Sequence, residues 1–126
     1  MRFQPSRDEF HAHAAEHTIV PVWTELLADL ETPVAAYVKL VGDQEGFLLE
    51  SVEGAERWAR FSFVGRNPSA TLILRDGIVE LDGPLPDGIP TDQGMLGALE
   101  ALLAAYSSPA FDDLPPLHGG VMGFLG

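Results

Sequence analysis

The sequence predicts an α+β fold: an antiparallel β-sheet meander with packed helices. Three observations point to it. The chain opens with a helix-start signal at Ser6-Arg7-Asp8-Glu9, and its middle is a succession of short strand-forming runs broken by turn residues. Near its end, Met95, Leu96, Leu99, Leu102, Leu103 and Tyr106 recur at helical spacing.

The elements follow in order. Ser6 and Glu9, three apart, form a capping-box pattern, so a first helix is expected from there to about His17, with Phe10 and Ala14 on its buried stripe. Ile19-Val20-Pro21-Val22-Trp23 reads as an extended link, because Pro21 restricts the residue before it. Thr24 can cap a second short helix through Leu30, and Thr32-Pro33 reads as its stop. Strands are expected over 34–40, over 47–51 as its antiparallel partner across the turn 42–46, and over 61–64. Runs 70–75 and 78–82 flank Asp76-Gly77, the two-residue signal of a type I′ hairpin. Three prolines and two glycines make 83–90 a loop. A helix runs from Thr91 or Asp92 to about Tyr106, its apolar stripe packing on the sheet, and a Pro-rich connector over 107–117 leads to a glycine-rich end.

At 126 residues and 46% hydrophobic composition, the chain suits one globular domain rather than a disordered tail. Seven basic against nineteen acidic residues give a net charge of −12, and no Lys or Arg follows Arg75. That balance repels phosphate backbones and argues against nucleic acid as a partner. With no cysteine there is no disulfide, thiolate chemistry or Cys-based metal site. No leader pattern or membrane-length apolar run appears, so a cytoplasmic protein with no membrane partner is expected.

The segment richest in chemistry is Phe47-Leu48-Leu49-Glu50-Ser51-Val52-Glu53, followed by Arg57-Trp58-Ala59-Arg60-Phe61-Ser62-Phe63-Val64-Gly65. A short apolar strand delivers a carboxylate and a hydroxyl side by side, with arginines and a second apolar run a few residues on. Apolar walls with a few oriented polar groups make a small-molecule pocket. An amino acid would suit it, with Glu50 facing an ammonium and Ser51 hydrogen-bonding to it, while a basic group or backbone donor meets the carboxylate. The competing reading is an ordinary solvated strand end. Arg57, Arg60 and Arg66 form either a local anion site or a salt-bridge network with Glu50, Glu53 and Glu56.

Other patterns carry less. Glu9, His13 and His17 have helical spacing that could hold a metal, though histidines near an exposed helix end are ordinary. Gly119-Gly120 lacks the Gly-Lys-Ser/Thr ending of a phosphate loop, Trp23 and Trp58 read as core aromatics, and no Ser/His/Asp arrangement is suggested. No catalytic residue and no metal site is therefore assigned within the chain.

FLLESVEGAERWARFSFVG with Arg66-Asn67-Pro68 after it closely resembles the N-terminal region of anthranilate synthase component I, a member of the chorismate-binding enzyme family. The resemblance extends to Val20-Pro21-Val22-Trp23, to 33–40, to the hairpin at Asp76-Gly77 and to Gly119-Gly120-Val121-Met122-Gly123-Phe124-Leu125-Gly126. It implies that Leu48, Leu49, Glu50 and Ser51 line a site for tryptophan as feedback inhibitor; Arg60 and Ser62, on the facing segment, are this reading's own lesser candidates for the ligand carboxylate. It also implies a parent enzyme that forms anthranilate and pyruvate from chorismate with Mg2+, using ammonia from a glutamine amidotransferase subunit (component II). The catalytic portion of that family, with its magnesium-binding glutamates, has no counterpart in this chain. The chain thus reads as an isolated N-terminal regulatory region over 1–126, without a cofactor of its own and part of a larger two-sheet fold. The apolar run 121–126 would favour a homo-oligomer. The alternatives are the corresponding part of aminodeoxychorismate synthase component I, of folate biosynthesis, and a non-catalytic structural or interaction module.

Overall fold

A computed structural model of the chain describes residues 1–50 and 61–126. Among them are three helices and four strands: α1 (Arg7–Ala14), α2 (Pro33–Leu40), β1 (Gly46–Glu50), β2 (Ser62–Arg66), β3 (Thr71–Arg75), β4 (Ile78–Asp82) and α3 (Gly94–Ala104). The α+β class with antiparallel strands holds, and the strands pair as two hairpins, β1–β2 and β3–β4. The chain divides into two compact units, Met1–Glu25 with Ser69–Ala110, and Leu26–Pro68 with Phe111–Gly126.

In the first unit, α1 starts as its capping box dictates. The Ser6 N–H and hydroxyl both donate to Glu9 Oε2, at 2.8 and 2.7 Å, and the Glu9 N–H returns to Ser6 Oγ at 3.4 Å. The helix ends at Ala14 rather than near His17. The N–H groups of Glu16 and His17 both fold back onto the His13 carbonyl, at 3.0 and 2.9 Å, and this tight turn closes the last orphan carbonyls. Phe10 is half-buried and Ala14 exposed. Thr24 does not cap a helix: its hydroxyl donates to the Arg2 carbonyl at 2.8 Å, beside an antiparallel bridge between Gln4 and Trp23.

The β3–β4 hairpin turns at Asp76 and Gly77, with φ of 50° and 80°, the paired positive values that a type I′ turn needs. Its apolar face, which carries Leu72, Leu74, Val79 and Leu81, belongs to the sheet on which α3 packs. Val79, Ala98 and Leu102 are the buried apolar residues of this assembly. The helix turns Met95, Ala98, Leu99 and Leu102 inward, whereas Leu96 and Leu103 stay exposed. Those two were expected in the packing stripe. Each follows a stripe residue by one position, a rotation of about 100°, which carries it off the buried face.

In the second unit the sequence reading needs correction. Residues 33–40 are helix α2, not a strand. Thr32 Oγ1 accepts the Ala35 N–H at 3.1 Å and Pro33 occupies the first turn, so Thr32-Pro33 begins a helix instead of ending one. The segment 24–30 forms no helix, and Leu26, Leu27 and Leu30 are exposed. With its N-cap hydroxyl engaged elsewhere and its leucines exposed, so short a segment lacks what would offset helix nucleation. The antiparallel partner of β1 is consequently β2. Helix α2 packs against both strands, and Val41, just past its end, is buried.

Candidate functional site

Five of the chain's opposed residue pairs build the β1–β2 ladder: Gly46 with Arg66, Phe47 with Gly65, Leu48 with Val64, Leu49 with Phe63, and Glu50 with Ser62. Side chains directly opposed in an antiparallel pair point to the same face and lie about 5 Å apart at Cβ. The pair of Glu50 with Ser62 therefore sets a carboxylate beside a hydroxyl. Alternation places Leu48, Val64, Glu50 and Ser62 on one face of the ribbon, with Arg66 at its far end. Phe47, Leu49, Phe61 and Phe63 belong to the other face, where the Phe61 and Phe63 rings lie 6.0 Å apart at 32°.

The expected site residues thus divide. Leu48, Glu50 and Ser62 come together, although 62 lies outside the strand pair the sequence suggested for 47–51. Leu49 falls on the opposite face beside Phe63 and is 40% exposed. Ser51 and Arg60 lie outside the described residues, as do Arg57 and Trp58. Val64 was not anticipated. As the cross-strand partner of Leu48 it supplies a second apolar wall, and reading 33–40 as a helix would have revealed it by leaving 61–64 as the only neighbour for 47–51.

Two close approaches hold this ladder. A Cβ added at Gly65 would overlap the Phe47 ring, and one added at Gly46 would lie 2.5 Å from the Gly65 carbonyl oxygen and 2.6 Å from Val41 Cγ1. Both positions need glycine for contact rather than for turn geometry.

The electrostatics are simple. Glu50 and Ser62 are exposed, and among the described residues no ion pair engages the Glu50 carboxylate. In this unit Lys39 pairs with Glu31, which leaves Arg66 as the described cation on the Glu50 face. Four residues of strand separate their rungs, about 13 Å along the backbone. Arg57 and Arg60 lie in the sequence between Glu50 and Arg66. Among the described residues no three His, Cys, Asp or Glu side chains converge as a metal site, and no helix is long and apolar enough to cross a membrane.

No family model matches the chain. Curated proteins named anthranilate synthase component 1 match it along nearly its whole length. The protein of Mycolicibacterium smegmatis is 43% identical over 121 residues, covering 95% of this chain and 23% of that protein. That of Arthrobacter globiformis is 40% identical over 123 residues, 97% of this chain and 23% of its own. That of Pseudomonas aeruginosa is 34% identical over 126 residues, 96% and 25% respectively. The chain is homologous to the N-terminal region of anthranilate synthase component 1, and it spans about a quarter of the length of these relatives.

Proposed function

We propose that the chain is the regulatory N-terminal region of an anthranilate synthase component 1, and that the face of the β1–β2 pair carrying Glu50 and Ser62 binds tryptophan as feedback inhibitor. The observation that carries this reading is the cross-strand pair of Glu50 and Ser62, on one face with Leu48 and Val64, in a segment shared with the named synthases. Glu50 meets the ligand ammonium, and Ser51 and Ser62 offer hydroxyls. Leu48 and Val64 give apolar contact to the indole, Leu49 supports the hairpin from behind, and Arg60 meets the carboxylate. The parent activity belongs to the same proposal: chorismate and ammonia to anthranilate and pyruvate, with Mg2+ bound outside this chain, in tryptophan biosynthesis. So do a glutamine amidotransferase subunit as partner and a cytoplasmic setting. The name shared by the relatives favours anthranilate over aminodeoxychorismate as product.

The test is a chimera in which this chain replaces the matched region of the M. smegmatis synthase. It should form anthranilate, and tryptophan should suppress that activity. Glu50→Gln should raise the tryptophan needed for half-inhibition about tenfold or more, with turnover in its absence nearly unchanged. A chimera that is active and equally tryptophan-sensitive with either residue would remove Glu50 from the site and leave a docking role as the better reading.

A further inference from the structure

We draw no further inference here: the strongest candidate, the exposed apolar strip of Leu30, Val34 and Val38 leading onto and along α2, carries nothing because nothing in the structure shows what covers it.

Discussion

Glu50, which shares a rung with Ser62, has no ion pair among the described residues, and the residue after it is the sharpest point for mutation. A hydroxyl that hydrogen-bonds a ligand, once removed, leaves the partner unsatisfied at a cost of roughly 1–3 kcal/mol. Ser51→Ala in the chimera should therefore weaken tryptophan inhibition about ten- to a hundredfold while sparing uninhibited turnover. Inhibition curves that superimpose for the two proteins would sink the assignment. Gly65 offers a structural counterpart. Gly65→Ala must displace the Phe47 ring, and overpacking of this kind costs about 1–3 kcal/mol, read as a lower midpoint in urea. Four of the candidate residues, Leu48-Leu49-Glu50-Ser51, were legible as one contiguous run. The position of Ser62 opposite Glu50 was not, because it depends on which strand pairs with which.

Helix ends decided which elements the sequence disclosed. Ser6 and Glu9, and Asp76-Gly77, were readable because each is a local device whose hydrogen bonds or backbone angles involve only near neighbours. Thr32-Pro33 was misread because the same dipeptide serves as a stop after one helix or as cap and first turn of the next, and only packing on the hairpin selects between them. Val34, Tyr37 and Val38 then mimic a strand, since β-branched and aromatic residues favour one until tertiary contacts override them. Thr32→Ala should accordingly cost about 1 kcal/mol, and hydrogen exchange at the Ala35 and Ala36 amides should accelerate. Helix α1 should respond to acid. The Ser6 hydroxyl and then the Ser6 backbone N–H hold the Glu9 carboxyl below its usual range. A depressed folded-state value means the added stability is present above the unfolded value and is lost as pH falls through the folded one. Amide protection in α1 should thus fall in acid, and Ser6→Ala should remove most of that pH dependence. Unchanged acid sensitivity in Ser6→Ala would refute the capping-box origin.

For the molecule as a whole, composition was informative about charge and silent about assembly. A charge of −12 disperses the chain, yet Phe124 and Leu125 are 95% and 64% exposed, close to Val121 and Met122, which are also exposed. Sedimentation of the 126-residue chain should show concentration-dependent association that Phe124→Asp with Leu125→Asp abolishes. A monomer throughout the micromolar range would count against it. The same chain, incubated with chorismate, Mg2+ and ammonia, should give no anthranilate fluorescence above a protein-free control. The antiparallel ladder has one more consequence. Because Glu50 and Ser62 share a rung, a one-residue slip of β1 against β2 would turn the two side chains to opposite faces, so a change of register would dissolve the pair while leaving both residues in the chain.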